Sequence, residues 1–304
     1  MLIRKANLGY DSSGNKAQNH ALYPIGGKRC EYWEERMHGS DFVEIAPGGQ
    51  MKKAYFRFYA ELNDLLPLPK RGEGFTCSFE TAESVKDAIE AIGIPHTEVD
   101  LILANGQPAA FSYLLRDGDR ISVYPVFRRI RVSPEARLQP RSEGDIRFVL
   151  DTHLGKLAAY LRMLGFDALY CNDCQDGELA HISASQQRTL LSRDRGLLKR
   201  SVVTRGYLVR GAHPREQLME VVRRFDLSRS MVPFRRCLQC NAPLRPVANE
   251  MVKGCLPAQT RQQYDQFQFC PECGRVYWKG SHYQRMKALI ERLIDRPKPD
   301  CPEC

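Results

Sequence analysis

Short apolar runs bounded by polar turns recur along the chain from residue 51 onward, and they alternate with stretches whose apolar residues fall three or four positions apart. The first kind predicts strands and the second helices. Ala54–Tyr59 and Phe75–Phe79 read as aromatic-rich strands, with Leu65-Leu66-Pro67-Leu68-Pro69 a loop between them. Ser84–Ile92 reads as a helix, because Val85, Ala88, Ile89 and Ile92 share a face and Gly93 can stop it. Leu101–Leu103, a turn at Asn105-Gly106, and Ile121–Tyr124 after Asp117-Gly118-Asp119 complete a small α+β unit over 51–130.

A second pattern begins at Asp145. Strands are predicted at Ile146–Leu150, Ala168–Tyr170, Thr189–Ser192 and Tyr207–Val209. Helices are predicted at Leu154–Leu164, from the acidic loop to about Gln187, and at Pro214–Phe225. Such alternation implies a parallel, doubly wound sheet over 145–230. The polar stretch 131–144, with Pro134, Pro140 and Gly144, reads as a linker. Residues 1–50 lack sustained periodicity; an irregular or disordered extension, or a natural start at Met51, accounts for them. The segment 231–290 carries paired cysteines, and 291–304 reads as a flexible tail.

The cysteines change the picture most. Cys237-Leu-Gln-Cys240 and Cys270-Pro-Glu-Cys273 are two knuckles whose thiolates can enclose one zinc ion tetrahedrally. A closed four-thiolate shell has no open position, so this zinc is expected to be structural. The chain has 304 residues and 11 cysteines, too long for a small disulfide scaffold and an odd number for full pairing. No run approaches a membrane span, and the N-terminus lacks an apolar signal core, so a reducing, cytoplasmic location is expected. Cys171 and Cys174 read as solitary loop cysteines rather than a redox or metal pair. The Cys301/Cys304 pair reads as part of the tail.

Formal net charge is +9. Residues 52–128 are nearly balanced, whereas 145–296 carry about ten more Lys and Arg than Asp and Glu. That excess favours a polyanion partner through counterion release. In doubly wound sheets the working groups gather beyond the strand C-terminal ends, where Asp151 and Asp194 fall. The loop after the second strand can bring Asp176 and Glu178 to the same rim. Clustered carboxylates call for a divalent cation, and hard oxygens suit Mg²⁺ or Mn²⁺. For any one of these acids a helix-capping role is the simpler alternative. Lys156, Arg162, Arg193 and Arg195 lie near this rim in sequence and could hold phosphates, or simply pair with carboxylates. Trp278, among Tyr277, Lys279 and Arg285, could stack on a base, or pack on the ribbon.

The unit 51–130 resembles the β-grasp of the ubiquitin-like sulfur carriers of the MoaD and ThiS type, through its first strand, the Asn105-Gly-Gln turn and Leu114-Leu-Arg-Asp-Gly-Asp119. Those carriers end in Gly-Gly; here Val126–Ile130 stands there and the chain continues, so docking or scaffolding is expected instead of sulfur transfer. Three further runs resemble the Mut-seven C-terminal RNase family, a PIN-like nuclease fused to a zinc ribbon and often preceded by a ubiquitin-like domain. They are Asp151-Thr-His-Leu-Gly-Lys-Leu-Ala-Ala-Tyr-Leu-Arg-Met-Leu-Gly165-Phe-Asp167, Leu190-Leu-Ser-Arg-Asp194-Arg-Gly-Leu197 and Cys270-Pro-Glu-Cys273-Gly-Arg-Val-Tyr-Trp278-Lys-Gly-Ser-His282. The resemblance implies a PIN-type site in which Asp151, Asp176 and Asp194, assisted by Glu178, bind catalytic Mg²⁺ or Mn²⁺ and hydrolyse single-stranded RNA. Ser192 stands where relatives often have Thr. The competing expectations are a non-catalytic RNA-binding adaptor, with the ubiquitin-like domain docking a partner, and a sensor using Cys171 and Cys174.

Overall fold

The computed structural model describes residues 51–126, 133, 136–139, 146–252, 256 and 258–294. The expectations for residues 1–50, for most of the linker and for the Cys301/Cys304 pair lie outside them.

The first unit is a β-grasp. Strands β1 (Lys52–Phe58), β2 (Gly74–Phe79), β3 (Leu101–Ala104), β4 (Gln107–Pro108) and β5 (Arg120–Tyr124) lie in the order β2-β1-β5-β3-β4. β1 runs antiparallel to β2 and parallel to β5. Alternation along β1 buries Ala54, Phe56 and Phe58 and leaves the residues between them exposed. Helix α1 (Val85–Ile92) covers the buried face; the Ser84 hydroxyl caps its start by accepting from Asp87 N, and left-handed Gly93 ends it. The stretch expected as a loop folds into two 3₁₀ turns, Ala60–Leu65 and Leu68–Lys70, because Leu62, Leu65 and Leu66 are core residues.

The second unit is a four-stranded parallel sheet in the order β7-β6-β8-β9: β6 is Arg147–Leu150, β7 Asp167–Tyr170, β8 Thr189–Ser192 and β9 Gly206–Leu208. Its helices are α2 (Gly155–Met163), α3 (Asp176–Ser185), the short α4 (Arg195–Leu198) and α5 (Pro214–Arg224). α2 and α5 share one apolar core with Phe148 and Leu150. On the other face Leu179, Leu197 and Leu198 join the core of the β-grasp, so the two units share one apolar cluster. The chain leaves β6 toward β7 and leaves β8 toward β9. The switch point therefore lies between the C-terminal ends of β6 and β8, where doubly wound sheets bind ligands.

Both sheet edges are covered. On β9, Leu208 N donates to Glu98 Oε1 of the β-grasp at 2.6 Å, and Gly206 lies against Thr97. On β7, Ala168 N donates to Asn241 Oδ1 at 3.0 Å. Asn241 belongs to the third unit, an antiparallel sheet of β10 (Arg245–Val247), β11 (Phe267–Phe269) and β12 (Val276–Trp278). Helix α6 (Ala258–Gln263) precedes β11, and α7 (Ser281–Ile294) closes the described chain. α7 spans the boundary at which a flexible tail was expected. The described part of the linker is also pinned: Arg137 pairs with buried Asp100 at 3.2 Å, and Gln139 donates to the carbonyls of His96 and Val99.

Candidate functional site

Asp151 follows β6 directly and is only 6% exposed. Its Oδ1 accepts from Thr152 Oγ1 at 3.0 Å and from His153 N at 3.3 Å, and its Oδ2 accepts from Ser192 Oγ at 2.8 Å. Burial alone would raise this carboxyl, yet the donors from Ser192, Thr152 and His153 together hold it below its ordinary range. Ser192 is fully buried at the end of β8, and its hydroxyl also accepts from Asp194 N at 2.9 Å. One hydroxyl thus joins the two acids across the switch point. Asp194 is exposed and caps α4, with Oδ1 accepting from Gly196 N at 2.7 Å. Both the capping and the rim positions expected for these acids are occupied at once.

Asp176 opens α3 and is exposed. Glu178 closes a capping box, its Oε2 accepting from Gln175 N at 3.0 Å. Arg200 Nη1 lies close to the backbone of Gly177, 3.9 Å from where a side chain there would start. Asp151, Asp176 and Asp194 do not bring their oxygens within 4.8 Å of one another. Among the described residues only Cys237, Cys240, Cys270 and Cys273 form such a group. Carboxylates repel at short range, and both oxygens of Asp151 are held by protein donors.

The four sulfurs all lie within 4.8 Å of one another. Cys237 and Cys273 are 3.5 Å apart and Cys240 and Cys270 3.4 Å, against about 3.8 Å for the edge of a zinc tetrathiolate. Cys237 is buried, which would raise its thiol, but the Tyr277 hydroxyl and the backbone N–H groups of Cys240 and Gln239 bring it down to about 6. Each knuckle turns through a left-handed residue, Asn241 at φ 71° and Gly274 at φ 72°. The cluster fits zinc by donor type, number and spacing.

Residues 146–290 match the model of the Mut7-C RNAse domain, and residues 51–131 match that of the Mut7-C ubiquitin. The chain therefore carries a Mut7-C RNAse domain preceded by a Mut7-C ubiquitin-like domain. No curated protein matches it. A solution structure of the Haloferax volcanii HVO 2177 protein aligns at 17% identity over 31% of this chain and 99% of that one, with a TM-score of 0.22.

Inside the Mut7-C domain the four expected rim cations separate. Lys156, in the first turn of α2, and Arg193, between Ser192 and Asp194, are exposed. Arg162 is corrected: it is 5% exposed and donates to the carbonyls of Ala168, Leu238 and Gln239, so it ties α2 to the first knuckle and cannot reach a phosphate. Arg195 is exposed but turned toward the β-grasp. Its Nη1 donates to Leu65 O at 3.1 Å and Gly93 O at 3.3 Å, so it is spent on the ubiquitin-like domain. Lys199 joins it there, donating to Glu90 O. Trp278 is 36% exposed, with its indole over Gly280.

Cys171 and Cys174 are not solitary; a disulfide joins them in the loop leading from β7 to α3. Sequence reading also passed over Thr152, whose hydroxyl reaches back to Asp151. Its signal was plain, since a Thr just after an N-capping Asp often bonds locally. It gave no sign of Asp167, which pairs with Arg188 at 2.7 Å and accepts from Asn241 at 2.7 Å. Burial would raise that carboxyl, but Arg188, Asn241 and Arg236 pull it below the usual range.

Proposed function

We propose that this chain is a PIN-type ribonuclease that hydrolyses phosphodiester bonds within single-stranded RNA, using Mg²⁺ or Mn²⁺ at Asp151, Asp176 and Asp194. The observation carrying this reading is the pair Asp151 and Asp194, bridged by the Ser192 hydroxyl at the switch point of a Mut7-C RNAse domain. By type the donors suit a hard divalent cation, since all are carboxylate oxygens, although the three acids are not gathered into one group. When bound, that ion supplies water activation and charge neutralisation at the leaving oxygen. The protein's own part is positional. Ser192 fixes the Asp151 rotamer and the backbone of Asp194, Asp176 opens α3, and Glu178 holds that start in place. Lys156 and Arg193 are the exposed cations that would grip the scissile strand's phosphates. Zinc at the four cysteines is structural in this reading. The ubiquitin-like domain docks a partner, and the setting is cytoplasmic in this reading. No helix among the described residues is long and apolar enough to cross a membrane.

The test is incubation of purified protein with labelled single-stranded RNA, with and without Mn²⁺, beside Asp151→Asn. Wild type cleaves only with metal, and Asp151→Asn binds RNA but leaves it whole. Binding without any cleavage by wild type would transfer the site to the adaptor reading.

A further inference from the structure

The ubiquitin-like domain has slightly more acids than bases over 52–128, yet none of its acids lies on a strand. β1 to β5 contain no Asp or Glu, whereas Lys53, Arg57 and Arg120 all sit on them. Strand pairing fixes which way each residue faces. Phe56 and Ile121 are paired and buried, so their neighbours Tyr55, Arg57 and Arg120 point to the open side. That side carries Lys53, Tyr55, Arg57, Tyr59, Arg120 and Tyr124, and the nuclease unit packs elsewhere, on the 3₁₀ turns and the end of α1.

The aromatic rings there are pre-arranged. Tyr59 and Tyr124 stack with centroids 4.3 Å apart and an interplanar angle of 11°. Arg57 lies 5.3 Å from the Tyr59 centroid and Arg120 6.0 Å from that of Tyr55. Tyr55, 38% exposed, lies across Gly74 so closely that a Cβ there would come within 1.9 Å of its hydroxyl. Glycine at that place lets the ring lie down against the sheet. Flat aromatic faces beside guanidinium groups, on strands free of carboxylates, form a surface on which unpaired bases stack while cations meet the phosphates.

We propose that the open sheet face of the ubiquitin-like domain is a binding platform for single-stranded RNA. The choice of RNA rests on the ribonuclease reading above, which this proposal deepens. The platform also leads somewhere. Tyr59 immediately precedes the 3₁₀ turn whose carbonyls at Glu61 and Leu65 hold Arg210 and Arg195. Arg195 in turn follows Asp194. Tyr59 is thereby connected to Asp194 through the turn and Arg195.

The experiment uses the full chain carrying Asp151→Asn, so that RNA stays intact, and a labelled oligouridylate followed by fluorescence anisotropy over a range of salt. Tyr55→Ala is expected to weaken binding about tenfold. Arg57→Gln with Arg120→Gln is expected to flatten the slope of log affinity against log salt by about 0.7 for each phosphate no longer neutralised. Gly74→Ala, which lifts the Tyr55 ring and adds no charge, should weaken binding without changing that slope. RNA carrying 5-iodouracil should cross-link to peptides containing Tyr55 or Tyr124. Unchanged affinity and slope, with cross-links only beyond residue 145, overturn the platform and leave the face to a protein partner. Cleavage by the otherwise wild-type chain is scored separately. If it cleaves while the face variants bind normally, only the platform fails; if the platform binds and nothing is cleaved, only the ribonuclease reading fails.

Discussion

Ser192 is the smallest group on which the proposed site depends. Its hydroxyl is fully buried, donates to Asp151 and accepts from Asp194 N, so removing it affects both acids. Ser192→Ala leaves a buried carboxylate short of one donor, at a cost of about 1–3 kcal/mol. Asp151 sits below its ordinary value of 3.8 in the native fold, so its contribution to stability is present above the unfolded value and fades as pH falls through the folded one. The stability gap between wild type and Ser192→Ala should therefore be widest near neutral pH and close below about pH 4. Urea midpoints at several pH values measure it; a gap independent of pH would mean that the hydroxyl does not act on Asp151. The places of Asp151 and Asp194 were legible because each comes just after a short apolar strand of a doubly wound sheet. Arg162 and Arg195 were not. Arg195 follows a rim acid directly and Arg162 lies 11 residues after another, but the partners of Arg195 are 130 and 102 residues away, and those of Arg162 include carbonyls 76 and 77 residues away. No local pattern announces a cation spent on another domain's carbonyls.

At the scale of elements, the cysteine knuckles act as more than a metal clip. The first knuckle presents Asn241 to Ala168 N and to Asp167, and its Leu238 and Gln239 carbonyls receive Arg162 from α2. The knuckle thereby substitutes for a fifth strand along the β7 edge. Asn241 N donates to Cys237 O at 3.0 Å, so the cysteine cluster and the edge cap share one turn. Structural zinc sites supply roughly 10–16 kcal/mol of apparent binding energy to small folds. We expect one zinc per chain by elemental analysis. Chelation, or Cys270→Ser, should raise amide exchange at Ala168 as well as within the ribbon. Loss of zinc with unchanged exchange at Ala168 would show the edge cap to be independent of the metal. The two Cys-x-x-Cys spacings made the cluster readable in advance. The aromatics that follow were not readable in the same way: Trp278, on β12, was open between stacking on a base and packing on the ribbon, and Tyr283, on α7, packs against Phe234 with ring centroids 4.2 Å apart. Aromatics serve cores and ligands alike, and only tertiary contact separates the two.

Across the whole molecule, the parallel sheet is too narrow to protect its own edges, and a flanking domain closes each. Unpaired edge N–H groups invite association with other chains. On the β9 side the closure depends on Glu98, which is 1% exposed and accepts from Leu208 N while lying 3.4 Å from Arg210. Burial pushes its carboxyl above the ordinary range, against the opposing pull of Arg224, the Leu208 N–H and Arg210. Desolvation therefore outweighs attraction here, and the acceptor matters more than the charge. Glu98→Gln keeps an oxygen for Leu208 N and should cost less than about 1 kcal/mol; Glu98→Ala orphans that N–H and leaves Arg210 without its buried partner, and should cost about 3 kcal/mol. Wild type holds the Glu98 proton more tightly folded than unfolded, so this contribution to stability weakens as pH rises above about 4.3, the unfolded value. Glu98→Gln has no such proton to lose. Its stability relative to wild type should rise between pH 4 and the folded value, a trend that thermal unfolding across that range would reveal. Because the ubiquitin-like domain and the Mut7-C sheet share one apolar cluster, Glu98→Ala should lower the melting of both together, read by exchange at Phe56 and at Val149. Separate melting of the two would mean that the ubiquitin-like domain is a tethered module, and that its sheet face is not held in register with the carboxylate rim.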